Sequence, residues 1–158
     1  MSDIVWAINP AKDKLSYLEQ RMREFATDLF TAGDVRFRFH TSEDEYDLQV
    51  GADVRRQVFL VFKECIHNVV RHARCTEVDV EVRVENKRMV VQVRDNGVGF
   101  EAVAAVDGHG LASMRDRAQR IGGRIEVRAD HEGTTVTLDV PMAKATASGG
   151  ISPEGPPK

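Results

Sequence analysis

The stretch MVVQVRDNGVG, residues 89–99, contains the transition that decides the fold. Met89, Val91 and Val93 share one face of a β-strand, because side chains alternate between the two faces of an extended chain. Asp95 continues that parity, so we expect its carboxylate on the buried face, where it is costly unless hydrogen bonds are donated to it. The two glycines that follow allow the backbone to turn sharply and to approach a ligand closely. The stretch therefore predicts a strand that ends in a ligand-binding loop, with a donor from a neighbouring loop as the purely structural alternative.

Helices and strands are predicted on both sides of this stretch. An apolar stripe at helical spacing predicts a helix from Asp53, taken as its N-cap, to about Arg74. The stripe consists of Val54, Val58, Val61, Cys65, Val69 and Ala73. Alternating patterns predict further strands over 35–40, 78–84, 125–127 and 136–140, and a helix over 111–121 that stops at Gly122-Gly123. This order predicts an α+β fold, a two-layer α/β sandwich with a mixed, mainly antiparallel sheet and helices on one face.

The N-terminal thirty residues indicate a helix that is interrupted at Pro10. Beyond the proline, apolar residues are spaced three, four, three and four apart in a heptad-like seam: Leu15, Leu18, Met22, Phe25 and Leu29. Two interpretations are open, a helix packed on its own domain or the end of a dimer-forming helix. From about Lys144 onward the chain is rich in Ala, Ser, Gly and Pro, which is typical of a flexible tail.

Composition excludes several classes of protein. The net charge of -3, from 22 basic and 25 acidic residues among 158, argues against a dedicated nucleic-acid binder. No apolar run approaches the roughly 18–20 residues of a membrane span, and no signal-peptide pattern is present. Two cysteines are too few for a disulfide framework and favour a reducing cytoplasmic setting.

Two groups of residues suit a phosphate ligand. On an ideal helix Glu64, Asn68, Arg71 and His72 lie on one arc, which suits a Mg²⁺–phosphate complex, although this arc taken alone favours an ordinary solvent-exposed face. The sequence Gly108-His109-Gly110-Leu111 precedes a helix, and helix N-termini offer free N–H groups to phosphate. Each motif alone is weak. A zinc site formed by the cysteines and by His67 and His72 is disfavoured, because these residues scatter around the helix circumference.

Taken together and in this order, the motifs resemble the ATP-binding domain shared by gyrase, Hsp90, histidine kinases and MutL. Residues 64–73, ECIHNVVRHA, look like the N box of that family, and residues 95–100, DNGVGF, like its first glycine box. Residues 108–111, GHGL, and residues 133–136, GTTV, look like the second and third. The resemblance covers roughly residues 35–141 and implies a Bergerat-type ATP-binding fold.

The resemblance implies roles for individual residues. Asp95 accepts a hydrogen bond from the adenine amino group, with Thr134 supporting it directly or through water. Asn68 binds Mg²⁺, and Arg71 and His72 lie near the phosphates. The other ATP-contacting residues that it implies are Gly97, Gly99, Phe100, Gly108, His109, Gly110, Leu111 and Thr135, with a short mobile lid from Phe100 to Gly108. Glu64 is implied as catalytic, either as a base or by orienting the metal shell of Asn68.

Within the superfamily, residues 63–73 and 110–117 are similar to sensor histidine kinases of two-component systems. Residues 3–10, DIVWAINP, look like the end of the dimerisation helix of such kinases. The resemblance implies that residues 1–33 are the end of that helix and a linker, 34–142 the ATP-binding catalytic domain, and 143–158 a tail. It implies a fragment of a cytoplasmic, homodimeric kinase whose phosphoacceptor histidine lies upstream and whose other partner is a response regulator.

Two rival functions remain open at this point. One is a serine protein kinase of the anti-sigma-factor type, which shares the nucleotide site but phosphorylates a partner protein. The other is a non-catalytic, nucleotide-gated binding module. The resemblance of residues 3–10 disfavours the first, and the intact Asn68 disfavours the second. Without the upstream histidine domain, autophosphorylation is not expected.

Overall fold

Five strands form one mixed sheet, and helices cover one of its faces. The structure is a computed structural model that describes residues 14–42, 48–99 and 109–142. The helices are α1 (Leu15–Thr31), α2 (Ala52–Asn68), which a π-helical segment (Val69–Ala73) continues, and α3 (His109–Arg120). The strands are β1 (Arg36–Thr41), β2 (Glu77–Glu85), β3 (Arg88–Asp95), β4 (Arg124–Asp130) and β5 (Gly133–Pro141).

The strand order is β1-β2-β3-β5-β4. β1 pairs with β2 in parallel, and the other three pairs are antiparallel. The predicted α+β sandwich with a mixed, mainly antiparallel sheet is therefore confirmed. β3 lies at the centre of the sheet, so both neighbours hold the backbone of the strand that ends at Asp95.

The hydrophobic core lies between this sheet and the helices. Met89, Val91 and Val93 of β3 are buried, as their parity predicts, and so is the apolar stripe of α2 from Val58 to Cys65. The opposite face of the sheet carries paired charges such as Arg38 and Asp79, whose Nε and Oδ1 atoms are 2.6 Å apart. This division explains the alternating apolar and charged sequence of the strands.

α1 packs on the core of its own domain. Leu15, Leu18, Met22, Ala26 and Phe30 are at most 4% exposed and belong to the same hydrophobic cluster as α2 and β2. Phe25 and Leu29 of the predicted seam are only partly buried, because the buried face follows the 3.6-residue helical period rather than a heptad. In the described residues, α1 is therefore a helix packed on its own domain, which is the first of the two interpretations. Residues 3–10 lie outside the described residues, and the domain boundary at residue 33 stays a prediction.

The ends of the helices differ in part from the sequence prediction. The prediction that Asp53 is an N-cap is wrong: the N–H of Arg55 donates to the carbonyl of Gly51, so the helix begins earlier and Asp53 lies in its first turn. The prediction that the helix runs to about Arg74 is confirmed in extent, although its last turn is π-helical. The stop at Gly122-Gly123 is confirmed, with Gly122 at φ 74° and the N–H of Gly123 donating to Ala118. No helix in the described ranges has the length and apolar character needed to cross a bilayer.

Candidate functional site

A cavity lies between α2 with its π-helical continuation, the central strands and α3. Including its open mouth, it holds about 490 Å³ of space free of protein atoms. Most of its lining is apolar, and the polar side chains are few, which is typical of small-molecule sites. The lining residues are Cys65, Asn68, Val69, His72, Ala73, Val93, Asp95, Leu111, Met114, Val127, Thr134 and Val136.

Asp95 lies at the end of β3 and is only 7% exposed. The backbone N–H of Gly97 donates to its Oδ1 over 2.8 Å. Burial raises the pKa of the Asp95 carboxyl, while the hydrogen bonds from the N–H groups of Gly97 and Thr134 pull that pKa back. The prediction that the parity of β3 turns this carboxylate toward the buried face is confirmed.

Thr134 stands directly opposite Asp95 in the β3–β5 ladder and lines the same cavity. Its side chain is 9% exposed, and its Oγ1 has no hydrogen-bond partner among the described residues. A buried hydroxyl without a partner is costly, and such groups are rare in folded proteins. The pair therefore offers a carboxylate acceptor and a free hydroxyl to the polar edge of a ligand in an otherwise apolar cavity.

The helical wall of the cavity supplies Asn68 and His72. Glu64 and Arg71, which were predicted to share their arc, do not line the cavity, and Arg71 is exposed. For Arg71 the physical reason is the π-helical turn, which takes more residues per turn than an α-helix and so changes the angular positions of residues after Asn68.

The glycines of the first and third boxes make close backbone contacts. A Cβ at Gly97 would stand 2.0 Å from the carbonyl oxygen of Ala73, and one at Gly99 would stand 1.7 Å from that of Asp130. Gly99 also has φ +59°, and a Cβ at Gly133 would stand 1.9 Å from the carbonyl oxygen of Asp95. In the described structure the close approach at Gly97 and Gly99 is thus to neighbouring protein backbone, whereas the sequence suggested a ligand.

The remaining predicted site residues lie partly at the cavity and partly on the other face of the sheet. Leu111 lines the cavity, and α3 begins at His109 and Gly110 beside it. Thr135 lies on the opposite, open face of the sheet beside Arg94 and Arg128, because it has the other parity from Thr134. Phe100, Gly108 and the predicted lid lie outside the described residues.

Sequence reasoning missed the sulfur-containing wall of the cavity. The Sγ of Cys65 lies 3.6 Å from the Sδ of Met114. Burial raises the pKa of the Cys65 thiol to about 12, so the thiol stays neutral. The helical stripe predicted that Cys65 is buried, and both cysteines are free thiols. That Cys65 and Met114 meet at one cavity depends on the packing of α3 on α2, for which the sequence carries no local signal.

Residues 53–144 match the sequence profile of the family described as histidine kinase-, DNA gyrase B- and HSP90-like ATPase. The chain belongs to this ATPase family. ATP is the ligand of such domains, and the chain provides an ATP-binding domain of that kind. The cavity, Asp95, Thr134 and Asn68 all lie within the matched residues.

Sensor histidine kinases are among the proteins similar to this ATP-binding domain. It is 33% identical over 103 residues to the sensor histidine kinase LiaS of Bacillus subtilis (strain 168), a match that covers 62% of the chain and 29% of LiaS. The chain therefore spans less than a third of that relative. The histidine kinase domain of the blue-light activated kinase from Erythrobacter litoralis EL346 has a similar fold, with a TM-score of 0.66 at 19% identity over 82% of this chain and 63% of that one. The catalytic domain of histidine kinase ThkA aligns at the same TM-score of 0.66 and 15% identity, over 82% of this chain and 94% of that domain.

Proposed function

We propose that this domain is the catalytic part of a sensor histidine kinase. It would hold ATP so that the γ-phosphoryl group passes to a histidine imidazole on a dimerisation domain outside this chain. The observation that carries the proposal is the buried Asp95 carboxylate beside the Thr134 hydroxyl, which has no hydrogen-bond partner among the described residues. Both lie in an apolar cavity that Asn68 and His72 also line.

The base of ATP suits the deep part of this cavity. Adenine is a flat apolar ring, which fits between side chains such as Val93, Val136 and Met114. Its exocyclic amine donates hydrogen bonds, and the ionised Asp95 only accepts them. The Thr134 hydroxyl can both donate and accept, so it can meet a ring nitrogen directly or through a water. A base that offers no N–H donor at this edge would leave the ionised Asp95 without a ligand donor.

The triphosphate and Mg²⁺ suit the helical wall. Mg²⁺ binds through few protein oxygens and keeps waters and phosphate oxygens. The residues present fit this chemistry, because Asn68, whose side chain carries an amide oxygen, lines the cavity. When bound, the ion would neutralise charge on the phosphate oxygens. His72 would lie near the phosphates, with the exposed Arg71 close by along the chain. Phosphoryl transfer needs positioning and charge stabilisation more than covalent chemistry from the protein.

Glu64 keeps two proposed roles. It precedes Asn68 by one helical turn and does not line the cavity. It could take the proton of the attacking imidazole when the dimerisation domain docks, or it could orient Asn68. A loss of transfer with unchanged ATP affinity in Glu64→Gln would support the first role, and a loss of Mg²⁺-dependent affinity would support the second.

The likeness to LiaS favours a histidine over a serine as acceptor. The partners would then be an upstream dimerisation domain, a second copy of the whole protein, and a response regulator that takes the phosphoryl group. The domain would work in the cytoplasm, which supplies ATP and keeps Cys65 and Cys75 reduced.

The test uses the full-length protein with radiolabelled ATP and Mg²⁺. We expect acid-labile, alkali-stable label on the protein, as a phosphohistidine gives, and its loss in Asn68→Ala. Gln119→Ala, an exposed polar residue of α3, serves as the matched control and should leave labelling unchanged. Acid-stable label on the serine of a separate protein would instead support the anti-sigma-type kinase. ATP binding without any transfer would support a non-catalytic module.

A further inference from the structure

The π-helical segment and the first glycine box are held together by a small hydrogen-bond network. The N–H of Val98 donates to the carbonyl of Ala73 over 2.8 Å, and Gly97 leaves the room for that carbonyl. Two residues before Val98, the N–H of Asn96 donates to the carbonyl of Glu77, the first residue of β2, over 3.2 Å. The network thus spans the connection between the residue that ends the π-helical segment and the start of β2.

The Asn96 side chain is at the centre of this network. Its Oδ1 accepts hydrogen bonds from the backbone N–H groups of both Thr76 and Glu77, each over 2.9 Å. Its Nδ2 donates to the Oγ1 of Thr76 over 3.0 Å. The side chain uses donor and acceptor together although it is exposed, and it is not part of the cavity lining.

The backbone of Asp95 does not depend on this network for its position. Its backbone is held in the sheet between Val78 of β2 and Thr134 of β5. The segment that carries His72 has no such ladder, and it ends at Arg74 in the left-handed conformation, with φ 53°. Val98 contacts the end of this segment directly, and Asn96 holds Thr76 and Glu77, which follow it, so both contacts tie the end of the segment to the strand that carries Asp95.

We propose that Asn96 is a positioning residue that holds the phosphate side of the site, His72 on the π-helical segment, at a fixed distance from the base side, Asp95. This inference rests on the proposed function, because it takes the cavity to bind ATP. It leads to a specific expectation: without Asn96 the base side and the phosphate side of the site each keep their structure, but the distance between Asp95 and His72 no longer fits a single bound ATP.

Calorimetric titration with a non-hydrolysable ATP analogue and with adenosine tests this expectation. Asn96→Ala should lower affinity for the ATP analogue about tenfold and leave affinity for adenosine within about twofold. Thr76→Val, which removes only the hydroxyl that accepts from Nδ2, should show the same selectivity with a smaller loss. Asn96→Asp keeps an acceptor for both backbone N–H groups and should restore most of the ATP affinity. Gln119→Ala is the matched control and should change neither affinity.

Two results would overturn the inference. The first is an equal loss for both ligands in Asn96→Ala, and the second is unchanged affinity for the ATP analogue. Should Asn96→Ala fail to fold, Thr76→Val decides in the same way. Failure of the proposed function looks different, because the unmodified protein would then bind the ATP analogue no better than adenosine, or neither of them.

Discussion

Asp95 and Thr134 face each other across the β3–β5 ladder, and the N–H of Thr134 donates a hydrogen bond to the Asp95 carboxylate while its own hydroxyl has no partner in the described structure. The Asp95 carboxylate therefore already accepts hydrogen bonds, whereas the Thr134 hydroxyl makes none within the described structure. This asymmetry costs stability in the empty domain and leaves binding capacity for a ligand. It shows how an antiparallel register can build a recognition site, since one pair of opposed residues fixes both groups.

Asp95→Asn should remove most nucleotide binding. The amide would place N–H donors where the adenine amine also donates, so we expect the affinity for an ATP analogue to fall by about 100-fold. Calorimetric titration measures this loss, with Asp139→Asn on the open face of the sheet as the matched control. An unchanged affinity would contradict the assignment of Asp95 to the base.

The same substitution should not destabilise the empty domain at neutral pH. Burial raises the pKa of Asp95 above its ordinary value of 3.8, so the folded state disfavours the ionised form. That penalty is fully present above the folded-state pKa and disappears as the pH falls through that pKa to below 3.8. Thermal unfolding should therefore show Asp95→Asn to be as stable as or more stable than the unmodified domain at pH 7, with an advantage that shrinks toward pH 3.5. A variant that is less stable at pH 7 would contradict this sign.

Gly99→Ala should be strongly destabilising. Its Cβ would stand 1.7 Å from the carbonyl oxygen of Asp130, and its φ of +59° disfavours any side chain. We expect a loss of about 3 kcal/mol or more in the free energy of unfolding, measured by urea denaturation. Gly33→Ala is the control: a Cβ there meets nothing within 4 Å, so a change within about 0.5 kcal/mol is expected. Similar losses in the two variants would argue against the packing of the glycine box on the β4–β5 turn.

Arg74→Gly should stabilise the domain. Arg74 ends the π-helical segment with φ 53° and ψ 45°, a conformation that glycine adopts without steric cost. A gain of about 1 kcal/mol in the free energy of unfolding is expected. Arg115→Gly makes the same change at an exposed position inside α3, where it should cost about 1 kcal/mol instead. If the free energy of unfolding rises in Arg74→Gly and falls in Arg115→Gly, the effect at Arg74 comes from its backbone conformation and not from the loss of an arginine side chain. Changes of the same sign in both variants would refute this explanation.

The sequence predicts those features that depend on local periodicity. The parity of β3 places Asp95 inward, and the apolar stripe of α2 places Cys65 in the core. The π-helical turn escapes such reasoning, because a single wider turn leaves the apolar spacing of Val69 and Ala73 almost unchanged. The role of Gly97 could not be predicted in this way either, since the carbonyl that occupies the space a side chain would need belongs to Ala73, which is distant in sequence. The network around Asn96 depends in the same way on how β2 and β3 are paired.

The two cysteines should differ in reactivity in a way that reports on the cavity. Burial raises the pKa of Cys65 to about 12 and that of the half-buried Cys75 to about 11, so both thiols react slowly at pH 8 and Cys75 reacts first. One unit of pKa corresponds to about a tenfold difference in thiolate fraction, and the burial of Cys65 widens the gap further. Iodoacetamide labelling followed by peptide mass spectrometry measures both rates, and urea-unfolded protein should show them equal.

A saturating ATP analogue should slow the labelling of Cys65 alone, because Cys65 lines the nucleotide cavity whereas Cys75 lines a separate groove beside Phe30 and Val70. Protection of Cys75 instead would place the nucleotide on the other side of the π-helical segment and contradict the site derived from Asp95 and Thr134.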